Sequence, residues 1–341
     1  MKILQRFCFG LLLLANMQSS RAQFPVHPDS VFTFMRYNAA NRLSVDWITE
    51  QQRFRTCLTN AGSAADTMHC LVGVLESLQD VHSQLFLDNK LYGHYPSFPD
   101  SILPRLRELT QRSGQETNHI ATAMLTKTIA YLRVPGFNAF GTEQVNAYAQ
   151  ALYDSLASLR KRNMRSIIID LRLNGGGNLY PMLTGLSPLL GKNIVGYEVD
   201  PDAGETRTWE TREGQFNLGN YTSAQIIFRK GFNLADMKVA VLIGPVTRSS
   251  GSMVAIAFKQ RPHTIFIGEP TAEGYTTSNN YFQFAPNLVL NFATHYVADR
   301  NHNLYKVNVT PDIAVNGGDE FDKLTADKKI IAALHWLQQK K

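Results

Sequence analysis

Cysteine, long apolar runs and blocks of like charge are all scarce in this chain, and each scarcity removes a class of protein. Three cysteines occur in 341 residues, at positions 8, 57 and 70. With no Cys-x-x-Cys pair and no His/Cys grouping, neither a structural zinc site nor another metal centre is expected. The most apolar stretch, Phe7 to Ala15, is far shorter than the roughly 20 residues that span a bilayer. Lys2 and Arg6 precede it and Ser20-Arg21-Ala22 follows it, which is the pattern of a secretory leader over residues 1–22. The mature chain is therefore expected from about Gln23, exported to the periplasm or beyond, without a membrane anchor. The formal charge of +6 includes the leader cations Lys2, Arg6 and Arg21, which leaves +3 with no basic run. Nucleic acid is not an expected partner on that balance. Repeats and low-complexity tracts are also missing, and 44% hydrophobic residues suit an ordinary globular chain.

What is present reads as alternating helices and strands. Residues 28–83 have helical spacing, with Trp47, Ile48, Phe54, Cys57 and Leu58 on one stretch and Leu71, Val74, Leu75 and Leu78 on the next. Asn60 to Ser63 reads as the break between them. Export permits a Cys57–Cys70 disulfide without demanding one. The helical part ends in Asp80-Val81-His82-Ser83, which puts an imidazole at a helix-to-strand junction; on local grounds this is a surface histidine. Residues 88–118 read as a loop with one short helix, Leu103 to Thr110. A strand at Ile129 to Val134 and a helix from about Glu143 to Arg162 follow. The apolar strand at Ile167 to Ile169 feeds Asn174-Gly175-Gly176-Gly177 and a helix from Tyr180 to Leu190.

Three successive glycines let backbone amides face a ligand. A nucleotide is not expected there. The dinucleotide fingerprint needs glycine where Tyr180 stands, and Gly185 to Lys192 has one residue too many for a P-loop and is followed by Asn193. An oxyanion-binding loop remains. Residues 192–235 read as an irregular or hairpin insertion over the site, and residues 272–281 as a polar loop. Antiparallel strands are expected around Leu288, Leu290, Phe292 and Tyr296, and a last helix from about Leu324 to Gln338.

The stretch Val239 to Phe258 combines a buried strand, a turn at Gly244-Pro245, two serines and a small-residue helix. A serine at such a turn is exposed, with free helix amides beside it. Thr247-Arg248-Ser249-Ser250-Gly251 supplies half of a G-x-S-x-G elbow. Locally, helix N-cap is the plainer role for either serine.

The order of these pieces resembles peptidase family S41, which holds the tail-specific (C-terminal processing) proteases and tricorn-like relatives. Asp80 to Ser83 is similar to its D-x-H-[ST] element, and Ile129 to Phe137 to its Y-[LIV]-R-[LIV]-x-x-F strand. IDLRLNGGG, Ile169 to Gly177, is similar to I-D-L-R-x-N-x-G-G. Thr247 to Ser252 resembles T-x-S-S-G-E, Gly268 to Thr271 resembles G-E-x-T, and Thr310 to Ile313 resembles the P-D-I ending. The resemblance implies an α/β fold with a crotonase/ClpP-like core sheet, residues 84–341, preceded by a helical N-terminal lobe, residues 23–83. The segment between His82 and Ile129 is too short for the PDZ module of roughly 80–100 residues that processing members carry.

Carried onto this chain, the resemblance makes Ser249 the nucleophile and gives the oxyanion to amides of Ser250 and of Gly175-Gly176. A lysine that processing members hold after G-E-x-T is replaced by Gly274, and Thr271 to Ser278 contain no lysine. The tricorn-like alternative assigns the base to His82, whose imidazole can take and return a proton near neutral pH. Two positions depart from the pattern. Ser252 stands in place of glutamate, and Leu304 to Val309 lack the acid that tricorn-like members use to orient the base. Glu269, Glu273 and Asp80 are open candidates for that role. The expected protein is an exported serine peptidase acting on a peptide or protein substrate without a cofactor. The alternative is a weakened relative that binds a peptide or an apolar ligand in the same cleft.

Overall fold

A computed structural model describes residues 24–95, 98–229 and 232–339; the expected leader lies outside the described residues. Two sheets organise the chain. The first has six strands in the order Ile313–Ala314, Thr264–Gly268, Lys238–Ile243, Ser166–Asp170, Ile129–Arg133 and Ala121–Met124. All its pairings are parallel except the last. Its central strands are apolar throughout because both faces are covered. Ile167, Ile169, Val239 and Val241 turn toward the helices Thr142–Lys161, Leu179–Gly185 and Ser250–Phe258. Ile168, Ala240 and Leu242 turn the other way, onto Ile330, Ala333 and Leu337 of the helix Lys328–Gln338. The two-residue period of a strand thus sorts one run of isoleucines between two cores.

The second sheet is antiparallel and built around the twelve-residue strand Leu288–Asp299. Gln84–Leu87 pairs along one part of it, Asn193–Asp200 along another, and Thr277–Ala285 along its opposite edge. Of the two forms expected for the insertion, irregular or hairpin, the hairpin form holds: Asn193–Asp200, Gly204–Arg212, Gln215–Leu218 and Tyr221–Gln225 are four consecutive antiparallel strands. Their polar faces obscured the alternation.

Three N-terminal helices, Pro28–Asn38, Trp47–Asn60 and Ala64–Ser77, do not make a core alone. Phe32, Phe54, Leu71 and Leu75 pack with Leu288, Leu290 and Phe292 of the second sheet. Asp46 and Ser63 cap the second and third helices through side-chain oxygens, and a Cys57–Cys70 disulfide with Cα atoms 5.7 Å apart joins them.

Other expectations shift in detail. The helix from Leu103 runs on to Glu116, and Lys90–Gly93 adds a hairpin strand where a loop was expected. The helix expected from Tyr180 to Leu190 divides at Leu186, with Pro188 in the first turn of the second piece. The final helix starts at Lys328, after a short turn of 3-10 helix at Leu324–Ala326. No helix among the described residues is long and apolar enough to cross a membrane.

Candidate active site

Two neighbouring parallel strands, Ser166–Asp170 and Lys238–Ile243, deliver their following loops to the same edge of the first sheet. One loop carries the glycines and the other the serines. Crevices at the carboxyl ends of parallel strands are the usual ligand sites of such sheets.

The serine turn is held by its neighbours. Thr247 Oγ1 donates to the Leu171 carbonyl at 2.8 Å and accepts from the Gly244 amide at 3.1 Å. Ser249 then has φ 52° and ψ −127°, in the left-handed half of backbone space that a non-glycine residue enters at a cost of about 1–3 kcal/mol. It occupies the N-cap position of the helix Ser250–Phe258 but makes no side-chain cap bond. The N-cap expectation thus holds for Ser249 in position but not in bonding: its hydroxyl leaves the helix amides uncapped and is engaged elsewhere. Ser250 Oγ donates instead to the Gly177 carbonyl at 2.6 Å. Gly176 (φ 104°) approaches so closely that an added Cβ would lie 2.6 Å from the Ser249 Cβ.

His82 reaches this turn from the second sheet, two residues before the strand Gln84–Leu87. Asp80 fixes it by accepting at 2.9 Å from both the His82 and Ser83 amides. Ser83 Oγ in turn donates to Asp80 and accepts from the Ala293 amide. The imidazole Nε2 lies 2.8 Å from Ser249 Oγ. It is not a surface histidine; only 7% of it is exposed.

On the other side of the ring, Nδ1 lies 2.8 Å from Thr277 Oγ1. Thr277 Oγ1 donates to Asn279 Oδ1 at 3.0 Å, and Asn279 Nδ2 donates to the His82 carbonyl at 3.2 Å. With its proton given to Asn279, the threonine accepts from Nδ1–H. Nε2 is then left as the acceptor facing the serine hydroxyl. Burial, and next the charge of Arg248, lower the imidazole to a pKa of about 3, so the ring is neutral across the physiological range.

Of the expected oxyanion donors, Gly176 is corrected. Its amide donates to Asn174 Oδ1 at 3.0 Å and is committed there. The amides of Gly175, Gly177 and Ser250 find no acceptor among the described residues. Gly175, Gly177 and Ser250 all line the cleft.

The cleft is about 730 Å³. Leu179, Trp209, Leu218 and Met253 give it apolar walls, and the rings of Phe140 and Tyr281 meet edge-on at 6.0 Å on its rim.

Residues 128–315 match the model of peptidase family S41. The chain belongs to that family. Its fold is mixed α/β. It is 36% identical over 186 residues to a nisin-resistance protein of Lactococcus lactis subsp. lactis, covering 54% of this chain and 56% of that one. The chain thus matches only about half the length of that relative. A lipoprotein from Streptococcus agalactiae superposes with a TM-score of 0.67 at 20% identity, covering 91% of this chain and 94% of the other. A peptidase-like structure from Parabacteroides merdae gives 0.60 at 17% identity, over 93% and 98% of the two chains. A photosystem II D1 C-terminal processing protease gives 0.54 at 12%, over 85% and 92%. These structural likenesses speak for the fold.

Within the family S41 frame, none of the three acidic candidates touches the His82 ring. Asp80 is engaged by the turn it caps. Glu273 is exposed. Glu269 is bound by Arg105 at 2.6 Å and by Lys329 at 3.0 Å, in a buried cluster that also joins Arg172 to Asp170, Asp319 and Asp327. The I-D-L-R and G-E-x-T motifs therefore also hold the sheet to the C-terminal segment. Ser252 is buried and donates to the Thr247 carbonyl at 3.3 Å. Sequence reasoning missed Thr277 and Asn279. They lie in the polar stretch read as a loop, whose second half is strand, and a register shift between Ser278 and Asn279 re-aims its side chains.

Proposed function

We propose that the protein is an exported serine peptidase in which Ser249 Oγ attacks the carbonyl carbon of a peptide bond. His82 Nε2 takes the hydroxyl proton as that bond forms and gives it to the leaving amine as the C–N bond breaks. A water then attacks the acyl-enzyme, with His82 accepting its proton and returning it to Ser249. The Ser250 amide, with Gly175 or Gly177, donates to the oxyanion, while Thr277 and Asn279 hold the ring. Proton uptake by His82 in the complex is favoured by the charge developing on the oxyanion.

The observation that carries this reading is the 2.8 Å contact between Nε2 and a serine hydroxyl on a strained strand-to-helix turn. The leader-like residues 1–22 support export. The test is labelling of purified mature protein by a fluorophosphonate probe. Labelling is expected in the wild type, absent in Ser249→Ala and collapsed in His82→Ala. A folded wild type that takes no label would favour a cleft that only binds peptide or an apolar ligand.

A further inference from the structure

Among the described residues the cleft is lined by one acidic side chain, Glu198, and one guanidinium, Arg248, and they differ in their partners. Glu198 has a cation beside it: Oε1 accepts from Ser278 Oγ at 2.5 Å, and Oε2, which makes no well-aligned hydrogen bond, lies 2.5 Å from Arg207. Arg248 has no carboxylate within ion-pair distance among the described residues. Its Nε makes a long contact of 3.4 Å with the Gly175 carbonyl, and its guanidinium carbon lies 5.8 Å from the centre of the Tyr275 ring. The same Tyr275 packs on the other side of the site, with its ring 5.1 Å from that of His82. Arg248 is thus tethered beside the reacting groups, immediately before Ser249 in the chain. A side-chain hydrogen bond with the Tyr275 hydroxyl completes the tether, and the guanidinium keeps further N–H donors without a carboxylate to neutralise it among the described residues.

A half-buried guanidinium facing a peptide cleft favours a planar anion that can take a bidentate pair. In a peptide that anion is a carboxylate, either the chain terminus or the side chain of Asp or Glu. We propose that Arg248 binds a substrate carboxylate close to the scissile bond and so selects among peptides; this rests on Ser249 being the nucleophile.

The test starts from bonds mapped by mass spectrometry in a defined peptide mixture. Internally quenched peptides are then built in matched pairs around those bonds. One set ends in a free acid or an amide, and the other carries Asp or Glu against Asn or Gln. The wild type is expected to favour the carboxylate member of one set by about 10- to 100-fold in kcat/KM. Which set responds tells the terminal from the side-chain source. In Arg248→Gln the ratio should fall toward unity, chiefly through KM, and Arg248→Lys should keep part of it. Each ratio is taken within one preparation, so a partly unfolded variant does not distort it. A wild type that labels and cleaves but treats both members alike, or an Arg248→Gln that keeps the preference, overturns this inference alone. A wild type that neither labels nor cleaves overturns the Ser249 reading with it.

Discussion

At the scale of single residues, the His82 ring is held by neutral groups. A threonine hydroxyl stands at His82 Nδ1 and an amide oxygen stands behind it. This sets the tautomer as well as a carboxylate would, but it offers the imidazolium only dipoles, and charge-assisted bonds are roughly twice as strong. Thr277→Val removes the acceptor and leaves Nδ1–H without a partner. We expect kcat to fall by about 10- to 100-fold with little change in KM, and Thr277→Ser to restore most of it. A Thr277→Val enzyme with wild-type kcat would remove Thr277 from the mechanism. Because the free ring is held near pKa 3, kcat/KM on an uncharged peptide should stay level well below pH 6.5 in the same assays. The D-x-H-S signature was legible in the chain, but this relay was not. Asp80 was a candidate partner on sequence distance alone, and only the fold shows it spent on backbone amides.

At the scale of elements, the serine helix begins where strand, glycine loop and turn are pressed together. Gly251 shows how tightly: an added Cβ would lie 2.4 Å from the Asn174 carbonyl oxygen, which is fixed backbone. Gly251→Ala should therefore cost about 1–3 kcal/mol and displace Ser249 from His82. The control is Gly141→Ala, where the nearest neighbour of a Cβ is 3.6 Å away. Urea unfolding and fluorophosphonate labelling of the two variants would check this, and equal behaviour would refute it. The serine helix itself was readable, since nine small and apolar residues follow the turn. The strand Thr277–Ala285 was not, because its first residues are polar on both faces and it is identified by pairing with Leu288–Asp299.

At the scale of the molecule, the site joins two sheets, and burying a histidine between them ties folding to pH. His82 has an ordinary pKa of 6.5 when unfolded and about 3 when folded. Between those values the unfolded chain binds a proton that the folded one does not. Stability from this group is thus complete above pH 6.5 and lost as pH falls toward 3. Between about pH 7 and about pH 5 the wild type should lose ~2 kcal/mol more than His82→Gln, which cannot titrate there. Parallel pH dependence of the two in denaturant unfolding would contradict the buried neutral imidazole.

The sequence by itself determined the family and the central strands, and its motifs singled out Ser249 and His82 as candidates. Those features rest on local chemistry: apolar runs buried on both faces, and short motifs whose spacing is set by one turn or one strand. The tertiary structure alone decided that Thr277 and Asn279 hold His82, that the Gly176 amide is already committed, and that Glu269 belongs to a structural charge cluster. Each of these depends on contacts between residues far apart in the chain, Thr277 and His82 being 195 positions from one another. Local propensity holds no record of such contacts, because they exist only once two sheets have packed.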